Sequence, residues 1–212
     1  MSPVADPVVD FALRALITLF VVVDPAGLVP AYVTLVGSRA GRTDVAGRAV
    51  VIAGIVLLVF AVVGGPLLAY LGITLGALQV AGGLLLFRIA VDMVFAQLRR
   101  ETAEEAAEAR ARDDVSVFPL AIPLIAGPGA LASVLILTSE AAETAGGYAV
   151  LLLAGVAVMV IAYLVLRASK RVAGLLGQTG INVVTRVLGL VLAALAVQYV
   201  ADGVFGLGLV RV

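Results

Sequence analysis

Residues 49–87 read AVVIAGIVLLVFAVVGGPLLAYLGITLGALQVAGGLLLF, 39 positions without a charged side chain. A helix needs about 20 mostly apolar residues to cross about 30 Å of hydrocarbon. The run is therefore too long for one span and long enough for two. Gly64-Gly65-Pro66 and Leu71-Gly72 lie near its middle, and glycine and proline punctuate helical patterns more strongly than any other residues. The run divides into a helix over 46–66 and another over 73–97.

Working outward, two further uncharged intervals appear, 25 residues at 115–139 and 23 at 144–166. A first apolar stretch over 9–36 is interrupted by Asp24-Pro25-Ala26-Gly27, and a last one covers 183–205. Six spans are expected. The composition agrees: 63% of the 212 residues are hydrophobic and 13% are charged, against about 25% charged in soluble domains. Soluble enzymes, nucleic-acid binders and disordered regulators are poor descriptions of such a chain. Cysteine and histidine are both absent, which removes thiol and imidazole chemistry and the usual zinc ligands. No G-x-x-x-x-G-K-[ST] motif is present, so an ATP-driven pump would need a partner, and no cofactor or metal is expected.

The formal charge is zero, but its placement is not random. Arg39, Arg42 and Arg48 fall in the first loop, Arg99, Arg100, Arg110 and Arg112 in the third, and Arg167, Lys170 and Arg171 in the fifth. The second and fourth loops carry no basic residue. Basic residues mark cytoplasmic loops, so both termini are expected outside the cytoplasm. The N-terminus, with Asp6 and Asp10, does not read as a cleaved signal.

The polar connector 99–114 separates a first repeat over 1–98 from a second over 115–212, within one membrane domain. The connector reads as solvated, with Glu108 and Arg112 spaced for a helical pair. Each half opens on a proline- and glycine-broken helix: Asp24, Pro25, Gly27 and Pro30 in the first, Pro123, Gly127, Pro128 and Gly129 in the second. Each ends on a helix with small residues, Gly82-Gly83 and Gly189. Three helices per half reverse the direction of the second half. The expected fold class is an all-α membrane protein of six transmembrane helices, built as two inverted-topology three-helix repeats with broken first helices. In such repeats, paired interrupted segments point to the binding site. Proline frees backbone groups inside a helix, and those are tolerated at membrane depth only beside protein or a polar cavity. Half-helix N-termini attract a carboxylate and unwound carbonyls attract cations, which suits a zwitterionic amino acid. A packing kink is the plainer reading of each break.

Charges inside spans are costly and mark function by default. Asp24 has two readings of equal standing: a group that carries a proton or binds an ammonium, and a cap for the half-helix that starts at Pro25. Arg88 and Asp92 are spaced i, i+4, as a structural ion pair or as a gating and coupling pair. Gly82 and Gly83 serve close helix packing or line the site. Tyr70, Tyr148, Tyr163 and Tyr199 are candidate interface anchors.

Three blocks resemble the MarC family of bacterial inner-membrane proteins: Asp24-Pro25-Ala26-Gly27-Leu28-Val29-Pro30, the run AGGLLLF at 81–87, and the run FPLAIPLIAGPGA at 118–130, the last being the most specific. The resemblance spans nearly the whole chain. It implies a secondary transporter of small neutral amino acids such as glycine and alanine, with protons as the coupling ion to test. The partners so implied are that substrate, protons and the lipid bilayer, with a homo-oligomer left open. Two other classes compete with this reading. One is a structural or regulatory membrane protein that transports nothing. The other is an intramembrane enzyme, for which Asp24 and Asp92 would have to act together without the Gly-x-Gly-Asp context of such sites. An exporter of other small solutes is a further variant.

Overall fold

The computed structural model describes residues 6–36, 44–95 and 115–208. Every regular element among them is helical: α1 (Pro7–Val23), α2 (Leu28–Val36), α3 (Val45–Tyr70), α4 (Leu75–Phe95), α5 (Ser116–Ile125), α6 (Pro128–Glu143), α7 (Gly147–Arg167) and α8 (Ser169–Gly206). Four of these, α3, α4, α7 and α8, are long and apolar enough to cross a membrane. Two bent pairs, α1 with α2 (45°) and α5 with α6 (56°), raise the number to six when each pair counts as one span.

Local chemistry sets the helix ends. Asp6 caps α1 by accepting the Val8 N–H at 3.0 Å, with Pro7 in the first turn. Asp44 caps α3 by accepting the Gly47 N–H at 3.0 Å. Gly72, at φ 70°, turns the chain after α3, a conformation glycine adopts without steric cost. Thr74 Oγ1 accepts the Ala77 N–H at 3.2 Å and so starts α4.

Two boundaries differ from the sequence reading. Gly64-Gly65-Pro66 does not end a helix; Pro66 lies inside α3, which continues to Tyr70. Gly64 is instead where Leu135 of α6 presses against α3, in space that a Cβ would fill. The last helix begins at Ser169 rather than 183 and bends at Gly177, which has φ 59° and ψ −178°. The 99–114 connector, Arg39, Arg42 and Arg211 lie outside the described residues.

Three helix pairs are antiparallel by their contacts. Arg14 meets Glu140 and Val22 lies beside Gly129, so α1 and α6 run opposite ways. Gly76 abuts Gly203 and Gly189 abuts Ala90, so α4 and α8 do too. Asp44 meets Tyr163 and Gly54 meets Met159, which sets α3 against α7. Six alternating crossings require these directions. The interior holds two apolar clusters. One gathers α1, α2, α3, α5, α6 and α7. The other joins α4 and α8 to Val21 of α1 and Ile136 of α6. The outside is equally apolar: Val51, Ile55, Leu58 and Val62 of α3 and Leu152, Val156 and Val160 of α7 are exposed. Water would not tolerate so large an apolar surface on a monomer; lipid does.

Candidate functional site

Asp24 ends α1 in the left-handed region, at φ 42° and ψ 66°, and its N–H still donates to Phe20 O at 3.0 Å. It is the only non-glycine residue with positive φ among the described residues. Aspartate tolerates this conformation better than most because its short side chain bonds locally. Here Asp24 Oδ1 accepts the Gly27 N–H at 3.1 Å, and its carbonyl accepts the Leu28 N–H at 3.2 Å. The carboxylate lies so close over Gly27 that a Cβ there would collide with it. The side chain is buried. From α8 the Thr185 hydroxyl reaches the same carboxylate, yet it has no protein partner in good hydrogen-bonding geometry.

The second break is built differently. α5 is wound wide, in π-helical hydrogen bonding, with Phe118 and Ile122 in extended conformation before Pro119 and Pro123. The Ala126 N–H donates to Ala121 O at 2.9 Å. Gly127 then caps α6, with Pro128 in its first turn. A Cβ on Gly127 would come within 2.5 Å of Pro123 O, and one on Gly129 within 2.7 Å of Ile89 Cδ1. Both glycines are therefore sites of close approach.

The two breaks lie at one level of the bundle. Val22, two residues before Asp24, sits beside Gly129, two residues after Gly127. The segments on either side match in the same way. The long arms α1 and α6 have 17 and 16 residues, and the short arms α2 and α5 have 9 and 10. Asp24, Pro25 and Gly27 are thus near Gly127, Pro128 and Gly129, while Pro30 and Pro123 belong to the short arms.

The other expected site residues lie apart from this level or face other partners. Gly82 faces Ala132 and Ile136 of α6, and Gly83 faces the backbone of Ala196 and Val200 in α8; both sit in helix contacts. Arg88 Nε and Asp92 Oδ2 stand 4.0 Å apart on α4, with the arginine side chain 74% exposed. Tyr199 is not an interface anchor: it is buried, and its hydroxyl lies close to Thr18. Tyr70 is 88% exposed, and Tyr163 accepts a hydrogen bond from Arg167 at 2.8 Å. A groove of about 1350 Å³ opens between α3 and α7, lined mostly by Val, Leu and Ile, with Asp44, Arg48 and Tyr163 toward one end. Among the described residues no group of acidic side chains could hold a metal ion.

The family model for MarC family integral membrane proteins matches residues 9–207. This chain belongs to the MarC family. A UPF0056 membrane protein of Archaeoglobus fulgidus is 35% identical over 201 residues, 92% of each chain. The UPF0056 membrane protein YvbG of Bacillus subtilis is 35% identical over 203 residues, 93% of this chain and 96% of its own. A Buchnera aphidicola relative is 30% identical over 201 residues, 91% of each chain. No solved structure matches. The MarC chain is accordingly a multi-pass integral membrane protein.

Sequence reasoning did not pair Thr185 with Asp24, nor Tyr199 with Thr18. Both pairs join α1 to α8, and no local pattern carries such long-range contacts. The available signal was helical spacing, since Thr185, Leu192 and Tyr199 recur at seven-residue intervals and so share one face of α8.

Proposed function

We propose that the MarC chain is a secondary transporter of small neutral amino acids such as glycine and alanine, coupled to protons, and not an enzyme. In this reading it lies in the cytoplasmic (inner) membrane with both termini outside, and the substrate binds between the two broken spans. One observation carries the reading: a buried carboxylate, Asp24, stands at a helix break level with the N-terminus of the half-helix α6. The α6 N-terminus suits the substrate carboxylate, and Asp24 suits its ammonium group or a proton. The packing supports an inverted repeat, since α7 packs on α1 and α2 while α3 packs on α5 and α6. The repeat is imperfect, because the first span breaks after 17 residues and the second after 10. Asp24 meets Gly27 and Thr185 whereas Asp92 meets Arg88, so the two acids share no partner, which weighs against an aspartyl enzyme.

Uptake of labelled glycine and alanine into proteoliposomes tests the proposal. Uptake is expected to follow an imposed pH gradient and to lose that dependence in Asp24→Asn. Gradient-driven uptake that survives Asp24→Asn would remove the proton-carrier role. Absence of uptake for both amino acids would remove the substrate class.

A further inference from the structure

The faces of α1, α6 and α8 that meet in the interior carry polar groups well away from the breaks. On α1, Arg14 and Thr18 are one turn apart. On α6, Ser133 and Glu140 are two turns apart and share a stripe with Gly129 and Ile136. Arg14 lies 3.8 Å from Glu140 at one end of the α1–α6 contact, and Val22 lies beside Gly129 at the other. This register puts Thr18 level with Ser133. Tyr199 of α8 joins the same level, its hydroxyl close to Thr18. Ser133 is fully buried, and its hydroxyl has no hydrogen-bond partner among the described residues. A buried hydroxyl without a partner costs about 1–3 kcal/mol and is expected to serve a visitor, water or solute. Below this level, Val21, Leu86 and Leu192 close the interior with fully apolar contacts. Thr185 and Asp24 lie on the far side, beside each other.

We propose that the α1–α6–α8 interface from Arg14 and Glu140 down to Ser133 is the outer half of the solute path, and that Val21, Leu86 and Leu192 form the gate between it and Asp24. Its entrance takes a small zwitterion: Arg14 receives the carboxylate and Glu140 the ammonium group. Asp10, 3.0 Å from Arg14, and Asp202, which hydrogen-bonds Gln198 at 2.7 Å, make the entrance acidic overall. The choice of ligand rests on the transport reading; the existence of the path does not.

The natural absence of cysteine makes thiol labelling the direct test. Ser133→Cys, Leu137→Cys, Thr185→Cys and Ile73→Cys are each exposed to a membrane-impermeant cationic methanethiosulfonate. The reagent is added on the side where Ile73→Cys, in the α3–α4 turn, reacts. Leu137 is buried one turn nearer the entrance than Ser133 but faces the other cluster. Ser133→Cys is expected to react at least tenfold faster than Leu137→Cys and Thr185→Cys, and faster with the cationic reagent than with its anionic counterpart. Glycine or alanine at millimolar concentration should slow it severalfold. Ser133→Cys as inert as Leu137→Cys overturns the path, and Thr185→Cys as fast as Ser133→Cys overturns the gate. Labelling that neither amino acid slows overturns the zwitterion. Fast, gated labelling in a protein that takes up neither amino acid would uphold the path while refuting the transport reading.

Discussion

Asp24 combines a backbone and a side-chain role, and the two can be separated. Its carboxylate caps the turn into α2 through the Gly27 N–H, while its backbone occupies the left-handed region. Asparagine supplies an equivalent acceptor and is equally at home at positive φ. Asp24→Asn should therefore melt within about 0.5 kcal/mol of the parent, whereas Asp24→Ala should lose about 1–2 kcal/mol from the missing cap. Thermal unfolding in detergent compares them. If Asp24→Asn were as unstable as Asp24→Ala, the charge rather than the cap would be holding the turn. The break itself was legible in the sequence, because proline restricts its own φ and the residue before it. The neighbourhood of the carboxylate was not, since Thr185 arrives from the last helix. Tyr199 shows the same limit: a tyrosine in an apolar run reads equally well as an interface anchor or a buried hydrogen-bonding group, and only the partner Thr18 decides.

At the scale of elements, the α4–α8 pair shows how helices associate where lipid removes the hydrophobic drive. Small residues let backbones approach and dispersion does the rest. A Cβ on Gly83 would come within 2.7 Å of Ala196 O, and one on Gly189 within 2.8 Å of Met93 Cβ. Gly155 of α7 has nothing within 4 Å. Gly83→Ala should thus cost about 1–3 kcal/mol through overpacking, while Gly155→Ala should gain up to about 1 kcal/mol of helix propensity. Opposite shifts in melting temperature are expected, and equal shifts would mean that α4 and α8 do not pack closely. The glycine stripe was visible in the sequence, but packing and ligand binding demand the same residues. Gly64-Gly65-Pro66 misled for a related reason. Proline and glycine end a helix in water more readily than in a bundle, where Leu135 fills the notch at Gly64 and neighbouring groups tolerate the lost hydrogen bond.

For the whole molecule, six crossings could be read from the lengths of uncharged runs and from basic residues on alternate loops. Much of that charge lies outside the described residues, so the antiparallel contacts are an independent indication of the same path. Labelling should find Ile73→Cys and Lys170→Cys on opposite sides of the membrane, with Ile73→Cys outside; both on one side would overturn the six-span topology. What the sequence could not supply was depth. The breaks share a level that leaves arms of 17 and 16 residues on one side and 9 and 10 on the other, so Asp24 lies nearer one surface. In the proposed orientation that surface is the cytoplasmic one. A proton that reaches Asp24 from outside would then fall through about two-thirds of the transmembrane potential before it binds. At about 2.3 kcal/mol per charge per 100 mV, this is about 1.5 kcal/mol, or about a tenfold change in apparent proton affinity per 100 mV. The voltage would then act mainly on loading the carboxylate from outside and only weakly on its release to the cytoplasm.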